Sequence, residues 1–275
     1  MTIPIAEMKQ ILNDYDIFLI DLWGVIHDGT ILYPDSIQTL NLLKSYNKKV
    51  IFFSNGPRRA NKAKLSLKNM GIDENLYFDV MTSGELLYTK IRNLYSENTK
   101  FFYIGPECDA DLFNGLNYHR TFDLHEASFI LNCGLFDASS GYDKEESVLQ
   151  KAKELDIPML CPNPDIIVIT QSGKEFFCAG YVAQQYENLS GKVSYFGKPF
   201  YDMYHNVFNL FNLQKDKTLA IGDSLHTDIT GANNFGIDNV FISGGIHSNE
   251  LKTSSLDKIF NKYKQRPNFY LDSFK

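Results

Sequence analysis

The feature that most constrains this chain is a series of short apolar runs, rich in Ile, Val and Phe, that stop abruptly at polar residues or glycine: IFLID, VIFFSNG, FFYIG, SFILNCG, DIIVIT, VSYFGK, LAIGDS and VFISGG. Runs this short and this continuously apolar read as strands buried on both faces and feeding ligand-facing loops. Between several of them lie SIQTLNLLKSYN, ANKAKLSLKNMG and SGELLYTKIRNLY, whose apolar residues recur at spacings of three and four, the period of a helix with one buried face. Alternation of this kind predicts an α/β fold with a parallel sheet covered by helices. In such open sheets ligands bind beyond the carboxyl ends of the strands, which is where Asp21, Ser54, Lys198 and Asp223 fall.

The polar run ends form two groups separated by roughly a domain's length of chain, between Ser54 and Lys198. The turn-prone stretches SENTK and ENLSGK flank that gap, so we expect residues 1–97 plus 192–275 to form the core and residues 98–191 an inserted α/β domain. The formal net charge is -6 and the basic residues are scattered, which argues against a nucleic-acid face. The start MTIPIAEMKQILNDYD carries charges within its apolar stretch, unlike a signal peptide, and no later run is long enough to span a membrane. Cys108, Cys133, Cys161 and Cys178 lack the close paired spacing of a zinc site or a disulfide framework, and a cytoplasmic setting is the expectation.

Four segments carry candidate chemistry: DLWGVIHDG from Asp21, FSNGPRR from Phe53, FGKP from Phe196 and GDSLHTDITGA from Gly222. Singly, each is an ordinary turn or helix cap. Their order and context resemble the haloacid dehalogenase superfamily, and specifically subclass IIA, the NagD-like phosphatases with a large cap inserted between the second and third motifs. Gly29, the run from Ser54 to Arg59, MTSGELL, the CPNPD segment and the GDSLxTDIxGA ending extend the likeness over nearly the whole chain. The resemblance implies a Rossmann-like core with an α/β cap. It also implies a small phosphorylated metabolite as substrate, a sugar phosphate or similar phosphomonoester, with Mg2+ as cofactor. A homodimer through the cap is left open, and neither nucleic acid nor membrane is expected as a partner.

The chemistry of the residues agrees. Hydrolysis of a phosphate monoester needs a nucleophile and a means of dispersing negative charge. Asp21 can attack phosphorus to give an aspartyl phosphate that water then cleaves. Asp21, Asp223 and a backbone carbonyl, which the resemblance places at Trp23, make an all-oxygen set for magnesium, with Asp228 holding a water or orienting the set. Lys198 would neutralise Asp21 and the transferring group. Ser54 and the amides of Asn55 and Gly56 would bind the phosphoryl oxygens. The resemblance gives Asn163 and Asp165, in the cap, to the substrate, although Asn-Pro-Asp is also a simple turn.

Trp23 departs from the pattern, because phosphatases of this superfamily place a second aspartate two residues after the nucleophile to protonate the leaving group. Indole cannot do that. His27 or Asp28 could substitute, or the leaving group could need no proton, as in an acyl phosphate. Alternatively the chain is a catalytically weakened phosphometabolite-binding protein, or a metal-independent dehalogenase-like hydrolase. The blander account of His27 is a solvated loop histidine, and that of Asp28 a turn formed with Gly29.

Overall fold

The computed structural model describes residues 2–136 and 143–275. Along the chain, β1 (Ile3–Pro4), β2 (Ile17–Ile20), α1 (Ser36–Ser45), β3 (Lys49–Ser54), α2 (Ala60–Asn69), β4 (Asp79–Thr82) and α3 (Ser83–Leu94) come first. Next are β5 (Lys100–Ile104), β6 (His119–Thr121), β7 (Phe129–Asn132), α4 (Asp143–Glu154), β8 (Met159–Cys161), β9 (Ile167–Ile169), β10 (Glu175–Phe177), α5 (Ala179–Asn188) and β11 (Val193–Tyr195). The chain closes with α6 (Tyr201–Phe211), β12 (Thr218–Gly222), α7 (Thr230–Phe235), β13 (Asp238–Ile242), α8 (Ser248–Leu251), α9 (Leu256–Tyr263) and β14 (Phe269–Leu271).

These strands form a seven-stranded sheet in the order β1-β14-β13-β12-β2-β3-β4 and a five-stranded sheet in the order β11-β8-β7-β5-β6. Pairing is parallel throughout both sheets. This is the α/β architecture that the alternation of runs predicts. Period-two alternation explains how an all-apolar strand serves two cores. Ile17 and Leu19 of β2, with Ile51 and Phe53 of β3, face one cluster, whereas Phe18, Ile20, Val50 and Phe52 face another. The first cluster continues through Leu87 and Ile91 of α3 to Phe101 and Phe129 of the second sheet.

Two runs are placed differently from the sequence expectation. DIIVIT supplies β9, which pairs antiparallel with β10 in a separate hairpin rather than joining a parallel sheet. VSYFGK supplies β11, which lies beyond 192 and was expected in the core, yet pairs with β8 at the edge of the second sheet. The crossing back to the first sheet therefore follows Tyr195. Among the described residues no helix is long and apolar enough to cross a membrane.

Candidate active site

β2 and β12 are neighbours in the sheet, so the residues after them, Asp21 and Asp223, emerge side by side. The Asp21 N–H donates to the Ile221 carbonyl at 2.8 Å, which extends the strand pairing by one residue and fixes the side chain's position. Beyond Asp21 the chain curls back, with the N–H groups of Ile26 and His27 both donating to the Leu22 carbonyl at 2.9 and 3.0 Å. Gly24 lies in this curl with φ +86°, and a Cβ there, or on Gly245, would run into the Asp223 carboxyl. These two glycines are the space that Asp223 occupies. A single π-helical turn, Leu225–Ile229, brings Asp228 back toward the strand ends, where its Oδ2 accepts the Ser224 N–H at 3.0 Å. Asp21, Asp223 and Asp228 thereby offer oxygen atoms that all lie within 4.8 Å of one another.

Lys198 closes this group from the far end of the chain. Its ammonium has three protons and donates to three acceptors: Asp21 Oδ1 at 2.8 Å, Asp228 Oδ1 at 2.7 Å and the Phe53 carbonyl at 2.7 Å. The side chain is only 2% exposed. Asn55 holds the lysine's backbone, accepting its N–H at 2.7 Å and donating to its carbonyl at 3.0 Å. The same Asn55 amide donates to Asp165 Oδ1 at 3.0 Å, so one buried side chain ties the second motif to the third and to the CPNPD segment. Ser54 Oγ accepts the Gly56 N–H at 3.1 Å.

Electrostatically the site lacks positive charge. Burial, reinforced by the Asp228 charge, lifts the Asp21 carboxyl to about 7 although Lys198 pulls the other way. Burial and the charges of Asp21 and Asp228 push Asp223 well above the carboxylate range. Burial alone would lower the Lys198 ammonium, but Asp21, Asp228 and Asp165 outweigh it and hold the group charged. Three buried carboxyl groups around one lysine are a donor set suited to a hard divalent cation with oxygen ligands, and the residues fit magnesium on that chemistry.

Neither neighbour of Trp23 offers an acidic proton. Burial lowers the His27 imidazole to about 4, and its Nδ1 accepts the Gly29 N–H at 2.9 Å, which makes it a neutral ring packed in the loop rather than a solvated histidine. Burial would raise the Asp28 carboxyl, but the backbone N–H groups of Ile31, Gln171 and Thr30 outweigh it and hold it below the usual range. Asp28 is thus an ionised turn residue, not a reserve acid. Trp23 itself directs its indole Nε1–H to the Ile169 carbonyl at 2.9 Å.

A cavity of about 360 Å³ opens beside Asp21, walled by Trp23, Ser54, Asn163, Asp165 and Ile169. Asn163 spends its side-chain oxygen on the Asp165 N–H at 3.1 Å, forming the simple turn while still lining the cavity. Arg58 also lines it, held by Asp109 at 3.2 Å. Adjacency in the run from Ser54 does not separate Arg58 from Arg59, and only distant partners do so: Arg59 is committed to Glu85 at 2.8 Å and stacks on Tyr88.

Residues 18–119 match the family described as haloacid dehalogenase-like hydrolase, and residues 195–275 match one described as HAD-hydrolase-like. A solved haloacid dehalogenase-like hydrolase from Brucella suis 1330 is 27% identical, with a TM-score of 0.86 over 98% of this chain and all of that one. Schizosaccharomyces pombe 4-nitrophenylphosphatase is 24% identical over 83% of each chain. Arabidopsis thaliana phosphoglycolate phosphatase 2 is 22% identical over 96% of this chain and 93% of its own. The two family matches, one at each end of the chain, enclose the motifs that meet at Asp21, and the protein belongs to the haloacid dehalogenase-like hydrolases.

Proposed function

We propose that this protein is a phosphatase that hydrolyses a small phosphorylated metabolite, with Asp21 as nucleophile. The observation that carries the reading is the Lys198 ammonium bridging Asp21 and Asp228 inside a buried trio of carboxyl groups. In the first step an Asp21 oxygen bonds to phosphorus as the bond to the leaving oxygen breaks, and that oxygen takes the electron pair. Water then attacks the aspartyl phosphate, releasing inorganic phosphate and regenerating Asp21. Ser54 and the Asn55 and Gly56 amides bind the phosphoryl oxygens, which requires the Gly56 N–H to exchange its bond to Ser54 for one to the substrate. Lys198 draws Asp21 toward its ionised form against the effect of burial and offsets charge on the transferring group. Asp21, Asp223, Asp228 and the Trp23 carbonyl would hold magnesium, which would supply the remaining positive charge.

With Trp23, His27 and Asp28 unable to give a proton, the substrates best served are those whose leaving groups depart as stable anions, such as acyl or aryl phosphates. Asn163 and Asp165 shape the substrate end of the cavity. A cytoplasmic setting accords with the free thiols at Cys108, Cys133, Cys161 and Cys178. The homodimer rests on the resemblance alone, and sedimentation tests it.

A second reading, a phosphometabolite-binding protein, is favoured by the engagement of Trp23 with Ile169 in place of an acid. The deciding experiment is turnover of acetyl phosphate, p-nitrophenyl phosphate and glycerol phosphate with and without magnesium. Magnesium-dependent turnover of the first two, lost in Asp21→Asn, is the expected result. Inorganic phosphate binding with no turnover of any of the three would establish the second reading instead.

A further inference from the structure

The loop after Asp21 and the β9–β10 hairpin are joined by more than packing. The Trp23 indole donates to the Ile169 carbonyl at 2.9 Å. Next to that bond, the Gln171 N–H donates to Asp28 Oδ2 at 3.1 Å, and the Gln171 side-chain amide reaches the Ile31 and Leu32 carbonyls at 3.4 Å each. Trp23, Ile167, Ile169 and Phe177 line the same cavity as Asp21. The indole is confined where it stands: a Cβ on Gly29 would come within 2.3 Å of two carbons of its six-membered ring, and His27 meets it edge-on at 6.1 Å. The hairpin is two strands of three residues with an exposed tip, residues 171–174. A two-stranded hairpin is marginal alone, so its position depends on what tethers it.

We infer that Trp23 is a positioning residue for substrate selection: with the Asp28–Gln171 pair it latches the β9–β10 hairpin against the Asp21 loop and so sets the closed shape of the cavity. The residue that replaces an acid takes up the control of closure. This rests on the phosphatase reading only in its kinetic consequence. The latch itself is a property of the unliganded chain.

Two substitutions break the latch while keeping shape. Trp23→Phe keeps an aromatic ring and deletes the donor. Asp28→Asn keeps Oδ1 as acceptor for Thr30 and Ile31 but turns a donor toward the Gln171 N–H. Hydrogen exchange on the full chain should show residues 167–177 exchanging about fivefold faster or more in each variant, the effect of losing one hydrogen bond of ordinary net strength. Exchange in β2 and β12 should not change. Because Trp23 is the sole tryptophan, its emission in Asp28→Asn should also shift to the red and become more open to acrylamide. With p-nitrophenyl phosphate and magnesium, Asp28→Asn should raise KM by a similar factor and leave kcat near the wild-type value. Unchanged hairpin exchange in both variants, or a fall in kcat at constant KM, overturns the proposal. A wild type without turnover defeats the phosphatase reading, while exchange and emission still decide the latch.

Discussion

Lys198 shows how much of this site rests on single side chains. Its ammonium is buried with every proton spent, and removing it leaves Asp21 and Asp228 facing each other without a countercharge. Breaking a buried ion pair from one side costs about 3–5 kcal/mol, so Lys198→Ala should lose turnover and, without magnesium, that order of stability in urea titration. A loss under about 1 kcal/mol would show that the lysine is not what compensates the carboxylates. Asp223 should behave in the opposite sense, because burial and two neighbouring charges hold its carboxyl well above the ordinary range. Asp223→Asn keeps an oxygen for the Ile246 N–H and removes the cost of protonating or burying a repelled carboxylate on folding. The metal-free variant should therefore melt above the metal-free wild type and gain nothing from added magnesium. A lower Tm, or an undiminished gain from magnesium, contradicts the assignment of Asp223 to the cation. Asp21, Ser54 and Asp223 were legible in the sequence because each closes an apolar run at a strand's end, which is readable locally, whereas Lys198 follows β11 by three residues and was legible only through the FGKP motif. The clamp formed by Asn55 was not, since its partners Lys198 and Asp165 lie 143 and 110 residues away.

At the scale of elements, β2, β3, β5, β7, β12 and β13 were readable because burial on both faces leaves the middles of these strands apolar. DIIVIT misled for a related reason: Ile167, Val168 and Ile169 are apolar because they wall a cavity, which composition cannot tell from burial between helices. The loop that meets this hairpin should respond to acid. His27 is lowered from 6.5 to about 4, chiefly by burial. A histidine whose folded value is depressed favours the neutral form on folding, so its contribution to order is complete above pH 6.5 and is lost as pH falls toward 4. Protonation also removes the Nδ1 acceptor from the Gly29 N–H. The emission of Trp23 should accordingly shift reversibly over that interval, before global unfolding. In His27→Asn, whose side-chain oxygen can accept the same N–H without titrating, that step should vanish. An identical acid transition in the variant would assign it to other groups.

The whole molecule joins its two sheets more closely than the motif spacing suggests. A long insertion between two motif groups reads as a separable unit, yet Leu86, Leu87 and Ile91 of α3 and Met203, Tyr204 and Val207 of α6 belong to one buried cluster with Phe53 on one side and Phe101 and Phe129 on the other. A contact this apolar opposes free rotation of one sheet against the other. It also places the adjustable part of the cavity in the β9–β10 hairpin, outside both sheets. Unfolding should then be a single event. In a urea titration Trp23 emission reports the loop beside the first sheet, whereas far-ultraviolet circular dichroism reports all the helices and strands, including those of the second. Coincident curves are expected, because exposing Phe101 and Phe129 also strips the apolar cover from α3 and α6. Deleting residues 98–195 should for the same reason yield a core that binds hydrophobic dye and aggregates. Separated curves, or a soluble truncated core with a cooperative transition of its own, would mean that each sheet completes its own core and that the shared cluster is an interface between independent folding units.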